Sequence, residues 1–200
     1  MPSPIDNFES GCEDVDEILA IYNYVADQGF PVDPTNLLRQ AIVISMSCLD
    51  RYIHDKIHEY ISKILSNQWP ATKKFLSYDV EMHITLGAIS NPTSIYSDIQ
   101  NFIAGKLSYN SFMHPDKIAD GLALIWSEND KWRKISELTA YDRDGLRTRL
   151  ILANSRRNSI VHEADRDTVT GAKVQISYRD AHDIATLNKD IVRAVEQLLP

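Results

Sequence analysis

The clearest chemistry in the chain is carried by Arg157, Asn158 and His162, inside the run Ser155-Arg156-Arg157-Asn158-Ser159-Ile160-Val161-His162-Glu163-Ala164-Asp165. Asn158 and His162 are four residues apart, so on a helix they share one face. Arg157 lies about 140° around from His162 at roughly 100° per residue, yet its long side chain can reach a phosphate held beside the imidazole. An imidazole that titrates near neutral pH can move protons, a guanidinium pairs bidentately with phosphate, and a carboxamide can orient either. Together they suit the cleavage of a phosphodiester. The same types also suit a plain helix C-terminus, where cations favour the dipole and donors serve the last carbonyls. Spacing alone leaves both readings open.

Other candidates are less coherent. His54 and His58 form an i, i+4 pair that could be a metal edge with Asp55 or Glu59, but no tight motif supplies a third ligand, and a solvated polar face is the simpler reading. His83, His114 and His182 are isolated and are expected on the surface or in packing. No glycine-rich phosphate loop and no GxSxG elbow occurs. Trp69, Trp126 and Trp132 offer faces on which bases can stack, although burial in a core is the expectation for tryptophan. Cys12 stands in a polar leader and Cys48 in an apolar run, which gives neither a disulfide framework nor a CxxC metal site. Reduced thiols, no metal and no cofactor are expected.

The elements that must hold these residues read as helices. Ser10 with Glu13 has the pattern of a capping box, and Val15, Ile18, Leu19, Tyr22, Val25 and Ala26 continue at helical spacing to Gly29. Asp33-Pro34 opens a long pattern through Leu37, Leu38, Ala41, Ile42, Leu49, Tyr52, Ile53, Tyr60, Ile61 and Ile64. It extends to about Ser66 and is closed by Trp69-Pro70. Ala71 to Ser90 reads as short helix or loop, and Asn91-Pro92-Thr93 precedes an amphipathic segment with Ile95, Ile99, Phe102 and Ile103. Pro115 starts another helix, weakened by Gly121, and Trp132, Ile135 and Leu138 suggest a further short one. The motif lies on a helix from about Tyr141 to His162, with apolar positions Leu146, Leu150, Ile151, Ala153, Ile160 and Val161 and arginines on the other face. Asp165 to Ile176 reads as a loop, and Ser177 with Asp180 caps a last helix through Leu198. Apart from the short Lys173 to Ser177 piece, no strand alternation is present. The fold class expected is an all-α bundle with one long spine helix.

A chain of 200 residues with 44% hydrophobic content suits a single domain with a sizeable core. No apolar stretch approaches the roughly 20 residues that span a bilayer. The first residues, Met1 to Glu17, are acidic without Lys or Arg, unlike a signal peptide, so a cytoplasmic location is expected. The net charge of −7 argues against indiscriminate binding to nucleic acid. The charge is uneven, however. Lys131 to Arg157 holds eight basic residues (Lys131, Arg133, Lys134, Arg143, Arg147, Arg149, Arg156, Arg157) against Glu137, Asp142 and Asp144, a local +5 beside −12 elsewhere. Such a stretch can attract a polyanion locally, and it equally suits a salt-bridged, solvated helix face.

Arg157-Asn158-Ser159-Ile160-Val161-His162 resembles the signature of the HEPN superfamily: an Arg, a polar residue, three variable residues and a His. The wider string from Arg156 to Asp165 is similar to the RiboL-PSP-HEPN branch, as is Leu49-Asp50-Arg51-Tyr52-Ile53-His54-Asp55 in the long helix. The likeness covers about Leu37 to Leu199, weakly between Trp69 and Lys131, and leaves residues 1–33 uncovered. What it implies is a helical bundle that dimerises. In active members it also implies a metal-independent endoribonuclease acting on single-stranded or looped RNA, often as a toxin or antiphage effector with a cognate antitoxin or defence partner. By that likeness His162 serves the 2′-hydroxyl attack or the leaving group, Arg157 stabilises the pentavalent phosphate and Asn158 positions them. Arg149, Arg156 and Glu163 are the accompanying candidate RNA contacts. Some members are non-catalytic modules that bind RNA, a nucleotide or a partner protein, and that alternative stands beside the enzyme.

Overall fold

A computed structural model describes residues 2–91 and 93–200. Met1, at the start of the acidic leader, and Pro92, in the expected Asn91-Pro92-Thr93 break, lie outside the described residues. Among those described there are nine helices: α1 (Pro4–Asp27), α2 (Thr35–Leu65), α3 (Lys73–Leu76), α4 (Met82–Ser90), α5 (Ile95–Leu107), α6 (Pro115–Leu122), α7 (Lys131–Ser136), α8 (Arg143–His162) and α9 (Tyr178–Leu198). No strand is present among them, so the chain is an all-α helical bundle. The Lys173 to Ser177 piece contributes one isolated antiparallel bridge, Arg166 with Lys173.

The residues group into two compact units, one made of Met1–Tyr52, Met113–Pro115 and Asp130–Pro200, the other of Ile53–Phe112 and Asp116–Asn129. The first holds α1, α7, α8 and α9, with α9 packed on the other three. α9 buries Ala181, Ala185, Leu187, Asn188, Ile191, Val192, Ala194 and Val195, a stripe recurring at three and four residues. Its start is set by a capping box in which Ser177 Oγ accepts from the Asp180 N–H and the Asp180 carboxylate accepts from the Ser177 N–H, as the sequence pattern implies. Asn188 is fully buried and donates to Ser45 Oγ at 2.9 Å, a polar tie from α9 to α2 inside an apolar interface.

α1 begins earlier than Ser10. Ser3 is its N-cap, Pro4 its first residue, and Ser3 and Asp6 form the capping box, so Ser10 and Glu13 lie within the helix. The earlier start has a physical reason: Ser-Pro-x-Asp combines a cap, a proline with φ already set and a dipole-compatible acid in the first turn. α2 starts as expected, with Asp33 accepting from the Thr35 N–H at 2.9 Å. It ends at Leu65, one residue short of the expected Ser66, where Asn67 turns left-handed at φ 58° and the Trp69 N–H returns to the Lys63 carbonyl.

In the second unit, Trp69 stacks edge-on against Tyr60 and donates to the Ile125 carbonyl at 2.8 Å, a packing role rather than a stacking platform for bases. Gly121, which weakened the sequence case for α6, is buried where a Cβ would lie 2.5 Å from the Phe112 ring and 2.9 Å from Ile57 Cδ1. Glycine is there for space. None of the described helices is long and apolar enough to cross a membrane.

Candidate functional site

α8 is fixed at both ends. Its N-cap Asp142 accepts from the Gly145 N–H at 2.6 Å, and Leu146, Leu150 and Ala153 bury one narrow line along it. Ile151 and Val161, expected with that apolar set, are exposed at 39% and 45%, and Leu152 at 63%. Ile151 lies about 140° around the helix from Leu146, and Val161 falls in the last turn. The outward side of the motif helix is therefore partly apolar.

The three motif residues differ in surroundings. His162 is exposed in the final turn and makes no side-chain hydrogen bond among the described residues. Asn158 and Arg157 are half-buried, and Arg157 Nη1 donates to Asn158 Oδ1 at 3.2 Å, while Arg157 Nε is buried without a partner. Asn158 thus shares a face with His162 and a hydrogen bond with Arg157.

Of the candidate RNA contacts, Arg149 is exposed with its guanidinium 4.8 Å from the Tyr141 ring centre. Glu163 is the exposed C-cap of α8, its N–H donating to the Ser159 carbonyl at 3.0 Å. Arg156 is engaged within the fold: its Nη2 donates to Asp165 Oδ2 at 2.8 Å and to the Gln175 carbonyl at 3.1 Å. Much of the remaining basic stretch is matched locally, Arg133 and Lys134 by Glu137 and Arg143 by Asp130 and Asp144.

Sequence reasoning missed the group that ends α8. Asp165 is fully buried and receives Arg39 Nε at 2.6 Å as well as Arg156. Arg39 also donates to Thr35 Oγ1 at 2.8 Å and to the Val174 carbonyl at 2.7 Å. Ala164 and Asp165 both have φ of 53°, and the Asp165 N–H donates to the Ser159 carbonyl at 2.9 Å. A left-handed residue bearing a Cβ costs roughly 1–2 kcal/mol, and the two ion-paired hydrogen bonds offset that. The wider string contains Asp165, but its partner Arg39 lies 126 residues away, and no local pattern joins them.

The other histidines are occupied or dispersed. His54 Nε2 lies 3.1 Å from the Asn110 carbonyl and its ring is tilted against Phe112. His182 stacks on Tyr178, and His83 is exposed near Glu81. No group of three His, Cys, Asp or Glu suited to a metal occurs among the described residues. Two surface hollows, one beside Trp69 and Pro70 and one beside Phe8 and Tyr52, are not lined by the motif.

A family model described as RiboL-PSP-HEPN matches residues 13–199, from within the first helix to the end of the last. No curated protein and no solved structure shows a significant match.

Proposed function

The chain belongs to the RiboL-PSP-HEPN family, and from that premise we propose that it is a metal-independent endoribonuclease acting on single-stranded or looped RNA. The observation that carries the reading is the grouping on one helix of an exposed imidazole, His162, with Asn158 on the same face and Arg157 bonded to Asn158. In the proposed reaction the 2′-oxygen attacks phosphorus, the bond to the 5′-oxygen breaks, and a proton moves from the attacking to the departing oxygen. His162 is the group for proton transfer and Arg157 for the charge gathering on the phosphate, while Asn158 orients the guanidinium that donates to it. Neither role calls for a cation. A toxin or antiphage role, with an antitoxin or defence partner, is the setting in which such an activity is useful.

A single imidazole cannot both take one proton and supply another in the same step, which supports a homodimer as the working unit. Ile151, Ser155, Asn158 and His162 recur at three and four residues and form one outward stripe, with Leu152 exposed beside it. Pairing two such stripes about a two-fold axis covers exposed apolar side chains and gives the site a second His162.

The test is incubation of purified protein with total RNA in EDTA, beside an equally folded His162→Ala variant. Cleavage leaving 2′,3′-cyclic phosphate ends, lost in the variant, is the expected result. RNA binding without cleavage by either protein would assign the chain to the non-catalytic modules. Equal cleavage by both would place the activity elsewhere.

A further inference from the structure

The geometry points to Asp165 as a positioning residue for the Arg157 and His162 pair, acting through a buried clamp with Arg39 and Arg156; the inference rests on reading that pair as the reactive one. The clamp has an internal symmetry of function. Each arginine donates to Asp165 Oδ2, and each also takes one backbone carbonyl of the returning loop, Arg39 that of Val174 and Arg156 that of Gln175. One carboxylate therefore joins the start of α2, the motif helix and the segment leading into α9.

The consequence falls on His162. Asp165 is three residues beyond it, and the Asp165 N–H and Glu163 N–H both close on the Ser159 carbonyl, so the turn that follows the imidazole is tied back to the turn that precedes it. Two successive left-handed residues, neither of them glycine, are held where an unrestrained chain would relax. Arg156 adjoins Arg157 in sequence, so the group that fixes the helix end on one side also fixes the backbone that carries the phosphate-binding candidate. Burial is complete at Asp165, and the side chains of Arg39 and Arg156 are 9% and 22% exposed, which leaves RNA little access to the clamp itself. Its role is to hold, not to touch.

The test compares wild type, Asp165→Asn and Arg39→Lys. The lysine variant keeps the charge but cannot donate at once to Asp165, Thr35 and the Val174 carbonyl, and it stands in should the asparagine variant fail to fold. Three quantities are read: kcat for RNA cleavage, RNA affinity, and the side-chain NMR signals of isotope-labelled histidine, with His162 assigned by its alanine variant. Ser177→Ala, which loosens the α9 cap without entering the clamp, is the control for lost stability alone. The expected result is a fall in kcat of about 100-fold, the scale for a reactive group misplaced by an ångström, with affinity within about twofold. The His162 signal should shift while that of His83 stays. A clamp variant that loses thermal stability like Ser177→Ala, with kcat and the His162 signal unmoved, would overturn the inference. If wild type cleaves no RNA, the enzyme reading fails by itself, and the His162 signal still decides whether Asp165 positions that side chain.

Discussion

At the scale of single residues, the motif separates what a site needs from what a fold needs. His162 is exposed and unbonded, so His162→Ala should leave stability within about 1 kcal/mol of wild type while abolishing cleavage; thermal denaturation and an RNA gel check both halves. Asp165→Ala should do the opposite to stability. It leaves the Arg39 guanidinium without its carboxylate in a buried place, and losing one partner of a buried ion pair costs about 3–5 kcal/mol. The two cysteines yield a prediction from titration. Burial pushes the Cys12 thiol up to about 11, and burial also raises Cys48. The thiolate is the reactive form, so at pH 8 Cys12 should alkylate roughly a hundredfold more slowly than an exposed thiol of ordinary pKa. Labelling followed by mass spectrometry measures this, and rapid labelling of Cys12 in folded protein would contradict the packing described. The motif itself was legible because its residue types and its spacing of four are local. The Asp165 clamp was not, since a buried carboxylate announces itself only through a partner 126 residues distant.

At the scale of elements, the helices that carry strong local signals lie where the sequence puts them. α9 has a capping box and an unbroken apolar stripe, and α2 has Asp33-Pro34 and a long apolar pattern. α1 starts at Pro4 rather than after Ser10 because two capping patterns, Ser3 with Asp6 and Ser10 with Glu13, compete, and the one reinforced by Pro4 wins. α8 lies where its pattern implies, but its buried face is narrower than its apolar set, since periodicity marks which residues are apolar and not which of them meet a partner. A Cβ on Gly11 would collide with Cys48 Sγ, so Gly11→Ala should destabilise by about 1–3 kcal/mol. Adding Cys48→Ala should recover part of that loss, and purely additive melting temperatures would mean that α1 and α2 do not meet through this pair. On the exposed side of α8, Arg149→Ala should lower RNA affinity and reduce the slope of affinity against salt by about one. Arg156→Ala should instead first appear as lost stability, because its guanidinium is held by Asp165 and the Gln175 carbonyl. An unchanged salt slope for Arg149→Ala would return that arginine to the solvated face.

At the scale of the whole molecule, the acidic balance of the chain bears on how RNA is met. A net −7 gives long-range repulsion from a polyanion, so binding should depend on local contacts at the motif helix and weaken as salt rises. Within one chain the motif offers a single exposed imidazole, and the other histidines are placed by packing or lie on other elements. In-line cleavage asks for an acid and a base on opposite sides of the phosphorus. In the proposed dimer, two chains paired through the stripe of Ile151, Ser155, Asn158 and His162 would meet that demand with one residue type used twice, and the exposed Ile151 with Leu152 beside the stripe would add apolar contact. Leu152→Asp should therefore weaken self-association and cleavage together while leaving the melting temperature of the isolated chain nearly unchanged, because Leu152 buries little in the monomer. Light scattering and specific activity across a dilution series test this: activity should fall as the dimer dissociates, with the fall shifted to higher protein concentration in Leu152→Asp. Mixing inactive His162→Ala chains with wild type adds a second reading. A shared site predicts that the excess mutant draws wild-type chains into impaired heterodimers, so activity drops below simple dilution. Full specific activity in a demonstrably monomeric sample would show that one chain supplies both proton-transfer groups.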